Sequence, residues 1–219
     1  MAKKSLILVE GIADLIFIKD FIEVHFGYLH NSIVKIKEDT IDITIFHKNE
    51  NSIKIFVLGS KEALDNENTS KKVTSEINKE SYHYTILILD ADENVEVSKE
   101  LANKYVNNLS LSNSYLFPDV ENVGDLETIL ENIQVDQNIA DCWSNFEDCI
   151  QGKDVAYTIP AKKSKIYTYL EVLNPNTKRG KENCKERNRN YKDTQIWKIS
   201  DLNNPYILKL KTFLDPYLK

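Results

Sequence analysis

The chain has 219 residues, 28% of them charged and 42% hydrophobic, which is enough to bury a core and ordinary for a folded soluble protein. Its net charge of -6 argues against a protein that coats nucleic acid by bulk electrostatics, and no apolar run is long enough to span a membrane. The start, Met1-Ala2-Lys3-Lys4-Ser5, leads directly into a strand-like segment without the hydrophobic region and cleavage site of a signal peptide, so a cytoplasmic location is expected.

Ser5-Leu6-Ile7-Leu8-Val9-Glu10-Gly11 reads as a buried strand that ends in an acid and a glycine, where the backbone is expected to turn sharply. Asp14 to Val24 follows with helical spacing, placing Asp14 in the first turn, where it complements the helix dipole. Ser32 to Lys48 alternates apolar and polar residues, as a strand or hairpin with one wet face does. Ser52 to Ser60 is a further strand with a glycine turn, and Lys61 to Glu80 a polar helical stretch interrupted by Asn66-Glu67-Asn68. Tyr84 to Asp92 is the central strand: four consecutive apolar residues, Ile86 to Leu89, run into Asp90-Ala91-Asp92. Helix over Val97–Asn107, a short strand over Ser114–Phe117 stopped by Pro118, and helix over Asp125–Ile133 complete an α/β domain spanning residues 3–133. The expected architecture is Rossmann-like: a mainly parallel sheet flanked by helices. Residues 134–219 are expected as a helical elaboration packed on the same domain, with helices over Gln137–Ile150 and Lys163–Leu173, a charged connector over Asn174–Asn190, and a closing amphipathic helix over Pro205–Leu218.

The net charge conceals an asymmetry. From Pro160 to Lys192 the segment carries +7 and the remainder -13. A polyanion is then held by Lys162, Lys163, Lys165, Lys178, Arg179, Arg187 and Arg189 while the acidic part holds metal; the alternative is a solvated basic loop. Cys142, Cys149 and Cys184 form no CxxC, and His25, His30, His47 and His83 have no metal-ligand spacing, so both sets read as ordinary surface or core residues.

Carboxyl ends of parallel strands are where open α/β sheets bind ligands. One Asp there often only caps a helix. Two at i, i+2 repel unless something positive sits between them, and a hard divalent cation, Mg²⁺ or Mn²⁺, is the usual solution. There is no GxSxG, Walker A loop or GxGxxG. A haloacid-dehalogenase Asp-x-Asp normally sits on the first strand and continues to Thr or Val where Asn94 stands.

Val9-Glu10-Gly11-Ile12-Ala13-Asp14 and, some eighty residues on, Leu89-Asp90-Ala91-Asp92 resemble the two acidic motifs of the Toprim domain found in topoisomerases, bacterial primases, ribosomal-RNA maturation nucleases and OLD-family nucleases. Val57-Leu58-Gly59-Ser60-Lys61 is similar to the strand and glycine turn between them. Phe117-Pro118-Asp119 through Gly124-Asp125-Leu126-Glu127, with Trp197, Leu202-Asn203-Asn204-Pro205 and Phe213-Leu214, resembles the DUF3226 proteins, a Toprim-like group, so the likeness covers nearly the whole chain. One departure is Glu93-Asn94-Val95-Glu96, where Toprim members often carry glycine after Asp-x-Asp. The resemblance implies Glu10 as general acid/base or metal ligand, and Asp90 with Asp92 as ligands of Mg²⁺ or Mn²⁺. By the OLD-family pattern it also implies Asp14 and Glu127 at a second metal and a lysine, Lys163 among Lys162, Lys163 and Lys165, on the transferring phosphate. Glu127 has a plain helix-surface role as its alternative.

The expected activity is metal-dependent phosphodiester chemistry on DNA or RNA; the rival is a non-catalytic nucleotide- or partner-binding module on the same fold. The nuclease reading requires Glu10 to face the Asp90/Asp92 pair, and a lysine already neutralising that pair would count against it.

Overall fold

The computed structural model describes residues 2–36 and 41–219, with side chains outside 30–45. Among them, six strands form one sheet: β1 (Lys4–Val9), β2 (Leu29–Ile36), β3 (Ile41–Lys48), β4 (Asn51–Val57), β5 (Tyr84–Asp90) and β6 (Asn113–Phe117), in the order β2-β3-β4-β1-β5-β6. β4, β1, β5 and β6 run parallel; β2 and β3 add an antiparallel edge. The face that the β2/β3 pair turns to water, and the reading of His30, lie outside the described residues.

The helices are α1 (Ile12–Phe26), α2 (Glu67–Lys79), α3 (Val95–Leu109), α4 (Leu126–Asn132), α5 (Gln137–Gln151), α6 (Lys162–Leu173), α7 (Lys178–Asn183) and α8 (Pro205–Leu218). Ile7 and Val9 of β1 and Ile86 and Ile88 of β5 pack into one core with α1, α4, α6 and α8. Leu6, Leu8, Leu87 and Leu89 pack on the opposite face with α2 and α3. Both faces are covered, which is why the central strands are apolar without alternation. Leu210 and Leu214 of α8 belong to the same core as Ile7, so the C-terminal helix is built against the first strand.

Three local expectations change. The Asn66-Glu67-Asn68 interruption is the start of α2, because the Asn66 side chain accepts from the backbone N–H groups of Asn68 and Thr69. The connector over Asn174–Asn190 contains α7, which Thr177 caps by accepting from Gly180. No side chain fits at Gly180, since a Cβ there would stand 2.0 Å from the Pro175 carbonyl oxygen. Gly11 is extended (φ -130°), a conformation open to any residue, so the turn after β1 does not depend on glycine's freedom.

β1 and β5 are neighbours at the centre of the sheet, and after β1 the chain goes to one side (β2, β3, β4) before returning to the other (β5, β6). This is a topological switch point, and the segments leaving β1 and β5 line its crevice.

Candidate functional site

Glu10 follows the last residue of β1. The next turn is pinned by Asp14, whose Oδ2 accepts from the Gly11 N–H at 2.7 Å, and this brings the Asp14 carboxylate to the strand end at 6% exposure. β4 continues alongside, with the Leu58 and Gly59 N–H groups donating to the carbonyls of Val9 and Glu10, each at 2.8 Å. Gly59 does need its glycine, at φ +99°.

At the end of β5 the Asp-x-Asp pair separates. Asp90 Oδ1 accepts from the Leu126 N–H at 3.1 Å and so docks the start of α4 onto the strand. Asp92 is left-handed (φ 53°) and exchanges backbone hydrogen bonds with Gly124, 2.6 and 2.8 Å, which turns its side chain outward at 56% exposure. Lys61, itself 9% exposed, donates to Asp92 Oδ2 and the Asp90 carbonyl at 2.7 Å and to Ser98 Oγ at 2.6 Å. A lysine therefore neutralises one oxygen of Asp92 but not the Asp90 carboxylate. Lys61 lies two residues beyond Gly59, at the same rim as the acids; that position was the only sequence signal for it.

Asp125 caps α4 by accepting from the Thr128 N–H at 2.9 Å. The helix carries Glu127 inward, 3% exposed, with Oε1 lacking any hydrogen-bond partner; Glu10 Oε2 is likewise buried without one. Glu127 is thus not a surface residue of the helix.

The electrostatics join four of these acids. Burial raises the Asp90 carboxyl, and Asp14, Glu10 and Glu127 push it further. Asp14 is raised by burial, held down by its bond from Gly11, and raised again by Glu10 and Glu127. Burial also raises Glu127, against the nearby charges of Lys163 and Arg189. Glu10 is raised by burial and by Asp92, with Lys61 and the Asp90 backbone opposing. Glu10, Asp14, Asp90 and Glu127 share one field, and Asp92 stands at its edge beside Lys61.

Of the basic residues, Lys163 stands 3.9 Å from Glu186 and within the field of this cluster: burial lowers its pKa, and Glu127, Glu186, Asp14 and Asp90 raise it by more. Lys162 is engaged with Asp125 Oδ1 at 3.2 Å and Thr128 Oγ1 at 2.9 Å, and Lys165 with Glu131 at 3.3 Å. Arg189 is 5% exposed and donates to the Cys184 carbonyl and Tyr191 Oη, so it buttresses the fold rather than presenting a surface. Lys178, Arg179 and Arg187 are exposed.

The donor set suits a hard cation: carboxylate oxygens, two of them buried and unpartnered, in mutual repulsion. Among the described residues no three His, Cys, Asp or Glu side chains already stand as a metal-holding group, so the cluster is a field of carboxylates and not a finished coordination shell.

The family model described as protein of unknown function (DUF3226) matches residues 4–217. No curated protein matches. Among solved structures, hypothetical protein PH0156 from Pyrococcus horikoshii OT3 is 17% identical over 47% of this chain, which spans about half (47%) of that one, with a TM-score of 0.35. The cytosolic domain of the T. maritima FeoB iron transporter in its GMPPNP form is 10% identical over 100% of this chain and 96% of that one, with a TM-score of 0.27. At these scores neither structure bears on the reading of the site.

Proposed function

This chain belongs to the family of proteins of unknown function DUF3226, and within it we propose metal-dependent phosphodiester chemistry on nucleic acid, most simply hydrolysis, in the cytoplasm. The observation that carries the proposal is the cluster of Glu10, Asp14, Asp90 and Glu127 at the switch point, with Glu10 Oε2 and Glu127 Oε1 buried and unpartnered. Buried carboxylates without partners are costly to keep, and a cation relieves them. The ordered Glu…Asp-x-Asp motifs that resemble Toprim domains support the same reading.

Asp14, Asp90 and Glu127 would hold Mg²⁺ or Mn²⁺, with Asp92 contributing its oxygen not engaged by Lys61. A bound divalent ion polarises a phosphoryl oxygen and makes a water more acidic. Glu10 would serve as the general base, holding a proton at Oε2, because burial and the neighbouring Asp92 raise its affinity for one. Lys163, in the field of Glu127, Asp14 and Asp90, would stabilise the charge that builds on the phosphate. The exposed Lys178, Arg179 and Arg187 lie on the basic segment that would hold the strand.

The test is turnover of single- and double-stranded DNA and RNA oligonucleotides with Mg²⁺ or Mn²⁺, comparing the wild type with Glu10→Gln and Asp90→Asn. Both variants are expected to lose roughly a hundredfold or more; cleavage that survives both would refute the proposal.

The Lys61–Asp92 ion pair favours a second reading, a non-catalytic module that binds a nucleotide or a partner in the same crevice. Calorimetric binding of Mg²⁺ with no cleavage of any nucleic acid selects it.

A further inference from the structure

Lys61, between β4 and α2, is buried beside the Asp-x-Asp turn, and its ammonium sits in a cage of three oxygens. These are a carboxylate oxygen of Asp92 and the carbonyl of Asp90, each at 2.7 Å, and the Ser98 hydroxyl at 2.6 Å. Ser98, buried at the start of α3, gives its own hydrogen to the Ala91 carbonyl at 2.8 Å, so its oxygen accepts from the lysine.

An ammonium has three donors, and here all three are engaged, so Lys61 has none to offer a phosphate. The cage is at the same time a donor set for a hard cation: carboxylate, backbone carbonyl and hydroxyl oxygens are what such an ion takes. Asp90 is two-sided, its carbonyl turned to this cage and its carboxylate in the field of Asp14, Glu10 and Glu127. Asp92 gives the cage only Oδ2. Glu10 feels both Asp92 and Lys61. The cage and the acidic cluster are thus adjacent positions for positive charge, built on one motif, and the first is already filled.

We propose that the Lys61 ammonium stands in the place of a second metal ion, so that the crevice takes one divalent cation and not the two that the likeness to OLD-family nucleases implies. The inference rests on the metal-binding reading of the cluster. A second ion in the cage would have to displace the ammonium, and a lysine buried along its stem would then keep its charge out of water without a partner. An ion beside an undisplaced ammonium would meet like charge at close range. Lys61 is on this account a positioning residue: it holds the Asp90 backbone and the Asp92 side chain and supplies a fixed positive charge, while the exchangeable ion belongs to Asp14, Asp90 and Glu127.

Equilibrium dialysis of the full chain against Mn²⁺, with the bound ion counted by electron paramagnetic resonance, tests the proposal without any substrate. The wild type is expected to hold one Mn²⁺, and Asp92→Asn also one. Lys61→Ala, which empties the cage, is expected to hold two, and Lys61→Ala combined with Asp92→Asn to return to one. Thermal melts establish which variants are folded; should Lys61→Ala not fold, the counts for the wild type and Asp92→Asn still decide. A wild type that holds two ions overturns the proposal and leaves the metal reading of the cluster standing. A folded Lys61→Ala that holds only one ion also overturns it, because the cage is then no cation position. A wild type that binds no Mn²⁺ overturns the metal reading and this proposal together.

Discussion

Asp90 Oδ1 accepts the Leu126 N–H at 3.1 Å, and this contact ties the first turn of α4, with Glu127 on it, to the end of β5. The residue that anchors the helix is also the one on which the other acids press hardest. Asp90→Asn keeps the acceptor and removes the charge, so in EDTA it should be more stable than the wild type by about 1 kcal/mol or more, roughly 2–4 °C in Tm. Asp90→Ala loses the anchor as well and should gain nothing. Thermal melts of the two variants separate these roles, and equal Tm values would show that charge repulsion is absent.

The four raised carboxyls give stability a definite pH dependence. Their folded pKa values lie above the unfolded ones, so the unfolded state releases protons first as pH rises. Their cost is absent below the ordinary carboxylate range near ~4 and complete only above the raised folded values. The metal-free protein should therefore lose stability from this cluster between mildly acidic and alkaline pH, while added Mg²⁺ should restore more of it the higher the pH, since the ion displaces protons. Melts at several pH values with EDTA or Mg²⁺ check the sign; parallel curves would contradict it.

Lys61 competes with any cation for Asp92. Lys61→Met should cost about 1–3 kcal/mol, because Ser98 and the Asp90 carbonyl lose a buried donor while the exposed Asp92 is resolvated. The same variant should bind Mg²⁺ several-fold more tightly, with one more carboxylate oxygen available and one fewer positive charge. Calorimetry decides, and unchanged affinity would place Lys61 outside the metal's field.

Gly124 has φ +138°, and a Cβ there would meet Thr128 Oγ1 at 2.6 Å and Pro118 Cδ at 3.0 Å. Gly124→Ala should cost about 2–4 kcal/mol and disturb both the Asp92 pairing and the cap of α4. Chemical denaturation measures the loss; a cost below about 0.5 kcal/mol would mean the loop shifts freely.

Among the three lysines at the start of α6, only Lys163 acts on the acidic cluster. Lys163→Ala should reduce turnover roughly a hundredfold, whereas Lys165→Ala, which breaks the pair with Glu131, should stay within about threefold of wild type. Equal losses would assign both to general attraction for the strand.

Much of the fold is legible in the linear chain. Short apolar runs such as Leu6–Val9 and Ile86–Leu89, too short for helices, read as strands covered on both faces, and the acids following them mark the carboxyl edge, because burial and strand ends are local properties of composition. The split of Asp90 from Asp92, the burial of Glu127 and the seizure of Asp92 by Lys61 depend on which elements meet. Each is a contact or a missing contact between residues distant in the chain, decided by strand order and helix docking, and no spacing rule encodes it.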